Sequence, residues 1–125
     1  MLLKVSSGII REFGGGYAQK GKLAQRLALP IFESDAIVSF FGIAIDDAEP
    51  RIKFARDDDR SAIFNANRLT EGGMLTVCRE PLAVLRAAEN GDAQVVAIFT
   101  DYTADALRRI ATLLETKRIE AAELL

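Results

Sequence analysis

The stretch MLTVCREPLAVLRAAENGDAQVVAIFT, residues 74–100, decides the fold class because it holds a strand, a helix and a second strand in direct succession. Residues 74–78 and 94–100 are short apolar runs of the kind found in buried strands. Between them, Pro81 stands where a helix begins and Gly91 where a helix ends. This order predicts two parallel strands joined by a right-handed crossover.

A second helix is predicted after this stretch, from Ala104 towards Leu125, with Asp101 or Thr103 as its cap. Its apolar residues recur at helical spacing, which indicates an amphipathic helix. The end of the helix carries an apolar strip made of Leu114, Ala121, Ala122 and Leu125. A sheet that lacks a third parallel strand exposes an edge that needs a cover. We therefore expect the strip either to dock on the sheet or to form a homodimer contact.

The first half of the chain has a different pattern. Apolar runs separated by turns predict three strands, at residues 26–32, 36–45 and 51–54. Their short connections indicate an antiparallel meander, and Gly42 is interpreted as a β-bulge. The predicted fold class is α/β (α+β): a meander in about residues 1–60, then a β-α-β-α unit in about residues 74–125, within one domain.

The periodicity of these segments also predicts which side chains form the core. Apolar residues at the centre of each predicted strand and on one face of the last helix are expected to be buried. They are Phe40, Ile43, Val77, Val96, Ile98, Leu107 and Leu114.

Composition limits the classes of function. The chain carries 16 basic and 18 acidic side chains, and a net charge of −2 argues against avid, sequence-independent nucleic-acid binding. There is no His, and the one Cys, Cys78, lies in an apolar run, so we expect a buried thiol, no disulfide and no cofactor. No apolar run reaches the roughly 18–20 residues of a membrane span, and residues 1–4 do not begin a signal peptide. A cytoplasmic location is expected.

Two groups of charged residues are candidates for binding. Residues 56–60, RDDDR, are interpreted as a solvated loop, because three consecutive carboxylates do not converge easily on one cation. Basic side chains cluster in the first half, and some of them would share one strand face, where they could contact phosphates. The candidate nucleic-acid-binding residues are Arg11, Lys20, Lys22, Arg26, Arg51 and Lys53.

The order of several weak motifs is more informative than any one of them. Along the chain they are Gly16-Tyr17, Lys20-Gly21, RLALPI at residues 26–31, FFGIAIDD at 40–47, EPRIKF at 49–54, Phe64-Asn65, Arg68 and the strand-helix-strand of 75–100. In this order and spacing, residues 15–114 resemble the Toprim region of phage and plasmid-type bacterial primases. The resemblance implies a primase-type fold and a site that holds magnesium.

The chain departs from the family's pattern at the positions that carry its chemistry. Toprim sites use acidic groups to hold magnesium near a phosphate. The family's glutamate, glycine and later aspartate after the first parallel strand correspond to Arg79, Glu80 and Ala83. The family's aspartate pair follows a third parallel strand, whereas Glu120 and Glu123 are predicted to lie in a helix. The sequence also ends before such a pair would appear, so these departures predict a degenerate, truncated site that holds no metal.

These departures predict a non-catalytic, primase-derived binding protein of a mobile genetic element. Its partner would be a protein of replication or defence machinery. Two alternatives stay open. One is a nucleic-acid-binding module that uses the basic residues, and the other is a residual metal-dependent enzyme that uses Glu80 with other acids.

Overall fold

The computed structural model describes residues 5–125 and divides into two compact units, Met1–Asp59 and Arg60–Leu125. The interpretation of residues 1–4 as lacking a signal peptide lies outside the described residues. The elements of the first unit are α1 (Ser7–Glu12), β1 (Gly16–Ala18), β2 (Arg26–Glu33), β3 (Ala36–Ala44) and β4 (Ile52–Phe54). Those of the second are β5 (Ile63–Phe64), β6 (Met74–Cys78), α2 (Pro81–Glu89), β7 (Val95–Ile98), α3 (Ala104–Lys117) and β8 (Ala121–Leu124). No helix among residues 5–125 is both long and apolar enough to cross a membrane.

The first unit is an antiparallel sheet in the order β1-β2-β3-β4, with α1 preceding it. The predicted meander is therefore confirmed, and β1 is an additional strand that was not predicted. The bulge prediction at Gly42 is wrong, because the register shift between β2 and β3 lies at Ile31/Phe32. A glycine is needed at position 42 for a steric reason, because a Cβ there would lie 3.0 Å from Cβ of Arg26. The glycine leaves room for that arginine side chain to cross the sheet.

The alternation of side chains along β3 decides which of its aromatic residues is buried. Phe41 and Ile43 are fully buried, together with Leu29 from β2. Because neighbouring residues of a strand point to opposite faces, Phe40 lies on the other face and is 39% exposed. The prediction that Phe40 belongs to the core is wrong, whereas the prediction for Ile43 is confirmed.

Two adjacent glycines before β2 provide a test of packing in this unit. A Cβ at Gly15 would lie 2.6 Å from Cδ2 of Leu29 and 2.9 Å from the carbonyl oxygen of Ala28, whereas nothing lies within 4 Å of one at Gly16. We expect Gly15→Ala to lower the free energy of unfolding by about 1–3 kcal/mol, as overpacking of a core does. Gly16→Ala should leave it unchanged or raise it slightly. Urea unfolding of both variants checks this, and equal midpoints would contradict the close approach at Gly15.

The charged segment after β4 is not fully solvated. Asp57–Ser61 form a short 3-10 helix in which Asp59 is only 7% exposed, so the prediction of a solvated loop is wrong for this residue. Nη2 of Arg56 donates a hydrogen bond to Oδ1 of Asp59 at 3.0 Å. Burial alone would raise the pKa of Asp59, but hydrogen bonds from Ser39 and Arg56 outweigh burial and lower that pKa below its ordinary value of 3.8.

The lowered pKa of Asp59 predicts how stability depends on pH. A carboxylate whose pKa is lower in the folded state stabilises the fold above its unfolded pKa, and this contribution disappears as the pH falls through the folded pKa. Asp59→Asn should therefore cost about 1–3 kcal/mol at pH 7, and the difference from wild type should shrink below about pH 4. Urea unfolding between pH 2 and pH 7 measures it, with the exposed Asp58→Asn as control. A difference that is equal at both ends of the range would contradict the assignment.

The second unit is a mixed sheet in the order β5-β7-β6-β8. The strands β6 and β7 pair in parallel and are connected through α2, so the predicted strand-helix-strand is confirmed. The strand β5 pairs antiparallel with β7 and was not predicted. The chain has the predicted α+β class, with one antiparallel and one mixed sheet.

The last part of the chain differs most from its prediction. The helix α3 does not continue to Leu125 but ends at Lys117, and Arg118 takes the left-handed conformation that commonly terminates helices. The next residues form β8, which pairs in parallel with β6 from Met74 to Val77. A third parallel strand is therefore present, and Glu123 lies in a strand instead of a helix. The predicted exposed edge of β6 is wrong, since β8 covers it.

The apolar strip predicted on the last helix does not form. Leu114 lies on α3 and is half-buried against the core, whereas Ala121 and Ala122 point to opposite faces of β8. Leu125 follows the strand and is 65% exposed. The helical strip that was predicted to form a homodimer contact is therefore absent from the described residues. The tail does cover the sheet, as predicted, but it does so as a strand that pairs with β6.

A contiguous core lies between α3 and one face of the mixed sheet. Val77, Val96 and Ile98 are buried in it, as predicted. The prediction for Leu107 is wrong, because Ala106 and Ile110 take the buried face of α3 and Leu107 is 43% exposed. The remaining buried members of the cluster are Leu69, Leu75 and Ile119.

Candidate functional site

The order of the parallel strands in the second unit creates a natural place for a site. From β6 the chain passes through α2 to β7 on one side, and from β7 through α3 to β8 on the other side of β6. In open sheets with this change of direction, ligands bind beyond the carboxyl ends of the strands. The side chains there are Arg79, Glu80, Asp101 and Tyr102, which we call the carboxyl edge.

Arg79 is the first residue after β6. Its Nη1 atom lies 2.6 Å from Oδ1 of Asp101, a residue that follows β7. Its guanidinium carbon also lies 5.7 Å from the centre of the Tyr102 ring, within the range of a cation–π contact. The arginine and aspartate are 53% and 87% exposed, so the ion pair is worth little in stability but does neutralise both charges.

Glu80 is engaged in the local structure of the chain. It is the N-cap of α2, and its Oε1 accepts a hydrogen bond from the backbone N–H of Leu82 at 3.1 Å. An acidic side chain is favoured here because the first backbone N–H groups of a helix have no partner within the helix. Ala83 lies inside the first turn of α2 and has no ligand atom in its side chain.

Tyr102 and Cys78 complete the surroundings of this edge. The Tyr102 hydroxyl lies 3.1 Å from the carbonyl oxygen of Val77 and 2.8 Å from that of Leu125, which links the ends of β6 and β8. Burial raises the pKa of Tyr102. Burial also raises the pKa of the Cys78 thiol, whose Sγ lies 3.4 Å from the carbonyl oxygens of Glu80 and Val96. Cys78 is the buried thiol that the sequence predicts.

The carboxyl edge does not fit the magnesium ion that the Toprim resemblance implies. Magnesium demands near-ideal octahedral geometry and is usually bound through one or two carboxylates together with waters and phosphates. Here a guanidinium stands directly after β6, the Asp101 carboxylate binds that guanidinium, and Glu80 caps a helix. Among residues 5–125, no three His, Cys, Asp or Glu side chains gather in a way that could hold a metal.

The first unit brings three of the six predicted basic residues to one face of its sheet. Lys53 lies opposite Gly42, and Arg26 lies opposite Ala44. Residues directly opposite each other, and alternate residues along a strand, point to the same face. The Ala44 N–H donates to the carbonyl of Arg51 at 2.8 Å, which places Arg51 on that face as well.

Lys22 reaches the same region from the connection between β1 and β2. Its Nζ donates a hydrogen bond to the carbonyl oxygen of Ala55 at 2.8 Å, just beyond β4. Arg26 is 7% exposed, and its Nη2 donates to the carbonyl oxygen of Pro50 at 2.8 Å, so its charge is held inside the unit. We call Lys22, Arg26, Arg51 and Lys53 the basic face.

The other two basic candidates are separate from this face. Arg11 is exposed on α1 and lines a cavity of about 430 Å³ with Tyr17. Lys20 lies exposed in the connection after β1. The cavity was not predicted, because its walls come from residues distant in sequence. Of the two residues predicted to cap α3, Thr103 takes that role by accepting from the N–H of Ala106 at 3.1 Å, and Asp101 does not.

Comparisons with known proteins bear on the fold. No protein-family model matches the chain, and no curated protein matches it. Several solved structures do. The Escherichia coli primase catalytic core matches at a TM-score of 0.76 and 14% identity, over 98% of this chain and 51% of that one. The Aquifex aeolicus primase, comprising zinc-binding and RNA polymerase domains, matches at 0.77 and 15%, over 98% and 40%.

A third structure of the same kind was solved with nucleic acid. It is the RNA polymerase domain of Mycobacterium tuberculosis DnaG primase in complex with a double-stranded DNA oligomer with an overhang. It matches at a TM-score of 0.70 and 16% identity, over 98% of this chain and 52% of that one. This chain spans about half the length of the primase structures that it matches. The resemblance to the Toprim-containing part of primases is confirmed at the level of the fold: the chain has the fold of part of the bacterial DnaG primase catalytic core.

Proposed function

We propose that this chain is a non-catalytic binding domain derived from a primase core. The observation that carries the proposal is the ion pair between Arg79 and Asp101 at the carboxyl edge. A guanidinium at this position repels a divalent cation and occupies the Asp101 carboxylate, which lies between β7 and α3. The nearby Glu80 carboxylate is used as a helix cap, so recruiting it for a metal would uncap α2.

An assay of enzyme activity tests this proposal. Purified protein should show no magnesium-dependent primer synthesis, strand cleavage or relaxation of supercoiled DNA. Activity that depends on magnesium and disappears in Glu80→Ala would instead establish the alternative of a residual metal-dependent enzyme. Ala83→Ser, which leaves every acidic side chain in place, is the matched control. It should behave like the wild type in either case.

The surface of β3 favours a protein partner for this binding domain. Only its later half pairs with β4, from Phe41 to Ile43, so its first residues have a sheet neighbour on the β2 side alone. Ile37, Val38 and Phe40 are 52%, 38% and 39% exposed. Unpaired strand edges and exposed apolar side chains are features of protein-binding surfaces. The proposal extends to a replication or defence protein of a mobile genetic element as the partner, and to a second copy of this chain as an alternative occupant.

Paired substitutions distinguish this surface from other exposed apolar residues. The double variant Ile37→Ser and Phe40→Ser should lose a partner that the wild type captures, whereas Met74→Ser, at a residue 57% exposed in the second unit, should keep it. Light scattering of the same three proteins tests the second copy. The proposal for this surface fails if the double variant captures the same proteins and has the same mass as the wild type.

The basic face favours nucleic acid as a second candidate ligand. Lys22 and Arg51 are exposed and Lys53 is half-buried, so phosphates could approach these three cations. The M. tuberculosis primase domain of similar fold was solved with DNA, which makes this candidate worth testing. The opposing consideration is the net charge of −2, which limits affinity at physiological salt.

The salt dependence of binding tests the basic face directly. For single-stranded DNA each neutralised phosphate contributes about 0.7 to the slope of log affinity against log salt concentration. Replacing Lys22, Arg51 and Lys53 with Gln should therefore lower that slope by about 2. Fluorescence anisotropy with a labelled oligonucleotide measures the slope, and replacing Arg86, Arg108 and Lys117 of the second unit is the charge-matched control. Equal slopes for the two triple variants would reject the basic face.

A further inference from the structure

The cavity of the first unit is a separate concave site that neither the carboxyl edge nor the basic face uses. Its volume of about 430 Å³ lies within the range of roughly 300–1,000 Å³ of small-molecule sites. It is lined by Ser7, Ile10, Arg11, Gly15, Gly16, Tyr17, Leu27 and Ile45. These residues come from α1, from β1 and the glycines before it, from β2 and from the residue after β3.

The walls of the cavity are apolar and held in place by the fold. Ile10, Leu27 and Ile45 are aliphatic, and Leu27 is 4% exposed at the centre of β2. The backbone at Gly15 lies directly against β2, since a Cβ there would collide with Leu29. Tyr17 lies opposite Leu27 in the sheet, borders the cavity and is 53% exposed, so it is accessible to a planar ligand.

The cavity is lined by few polar side chains, and these can form hydrogen bonds with a ligand. Neither the guanidinium of Arg11, the hydroxyl of Ser7 nor that of Tyr17 makes a hydrogen bond or ion pair with another residue in the part of the chain that the structure describes. The residues that line the cavity include one cation and no acidic side chain. An apolar site with a few convergent polar groups is the usual composition of a ligand pocket, and its charge suits an anion.

We infer that this cavity binds a phosphorylated planar ring compound, with a nucleoside monophosphate as its representative. The ring stacks on Tyr17 against the aliphatic walls, as bases stack on aromatic side chains. The phosphate binds Arg11, whose forked guanidinium suits phosphate oxygens, and the Ser7 hydroxyl lies on the same wall. The inference goes beyond the proposed function, because it concerns a small molecule and residues outside the basic face and the carboxyl edge.

Calorimetric titration of the full chain with adenosine monophosphate, without magnesium, tests the inference. We expect saturable binding that Arg11→Gln weakens at least about tenfold, because a charge-assisted hydrogen bond is lost. Tyr17→Leu should weaken it by about tenfold through lost stacking, and Tyr17→Phe should restore it. Arg108→Gln, at a residue 73% exposed on α3, is the matched control and should bind like the wild type.

Two further tests are the affinity for analogues of the nucleotide and the position of the binding site in the chain. Adenosine and ribose 5-phosphate should each bind at least tenfold more weakly than the monophosphate, since each lacks one of the two contacts. Amide NMR shifts on titration should centre on Ile10, Arg11 and Tyr17, which also shows that each variant is folded. The inference is overturned if no saturable binding occurs, if Arg11→Gln and Tyr17→Leu bind like the wild type, or if ribose 5-phosphate binds as tightly as the nucleotide.

Discussion

Removing residues 119–125 should destabilise the second unit by more than about 4 kcal/mol, a large part of the 5–15 kcal/mol typical of a folded protein. The deletion takes away the buried Ile119, which is 6% exposed within the core under α3. It also removes β8, so that the edge of β6 from Met74 to Val77 loses its parallel neighbour. The Tyr102 hydroxyl loses the carbonyl oxygen of Leu125 in the same step.

The deletion is measured by urea unfolding and by size-exclusion chromatography. We expect a lower unfolding midpoint and association through the unpaired edge. Leu124→Ser is the control, because this residue of β8 is 43% exposed and its backbone pairing survives the substitution. A truncated protein that stays monomeric with the midpoint of the full chain would show that β8 does not cover the sheet.

Ile98→Ala should lower the free energy of unfolding by about 2–5 kcal/mol. Ile98 ends β7, is 4% exposed and belongs to the cluster under α3. Truncating a buried aliphatic side chain removes its burial and leaves a cavity that the surroundings fill incompletely. Leu107→Ala is the matched control on α3, and at 43% exposure it should cost well under about 1 kcal/mol. If the two variants unfold at the same urea concentration, the assignment of the core face is wrong.

The parts of the fold that sequence predicted are those with a strong local pattern. The strands β2, β3, β6 and β7 are apolar runs bounded by turn residues, and α2 has Pro81 at its start. The short strands β1, β5 and β8 lack such a pattern. The residues of β8, AAEL, favour helix, and only pairing with β6 makes them a strand. Tertiary context overrode local propensity at that point.

For the candidate site, the sequence predicts which residue types differ from the Toprim pattern, but it does not predict which side chains contact each other. That Arg79 and Ala83 stand in for acidic residues is a prediction from the sequence and its resemblance to the Toprim region. The ion pair of Arg79 with Asp101 joins residues 22 positions apart and depends on the parallel register of β6 and β7. Likewise, the grouping of Arg26 with Lys53 follows from the strand register, which composition does not contain.

The central proposal is that the Arg79–Asp101 ion pair and the Glu80 cap prevent the carboxyl edge from holding a metal. The most direct test is a titration with Mn²⁺, which broadens the amide NMR signals of residues close to the bound ion. The account predicts no selective broadening at Arg79, Glu80 and Asp101 when Mn²⁺ and protein are equimolar. Selective broadening at these three residues, abolished by Asp101→Asn, would show a metal at the carboxyl edge and contradict the account.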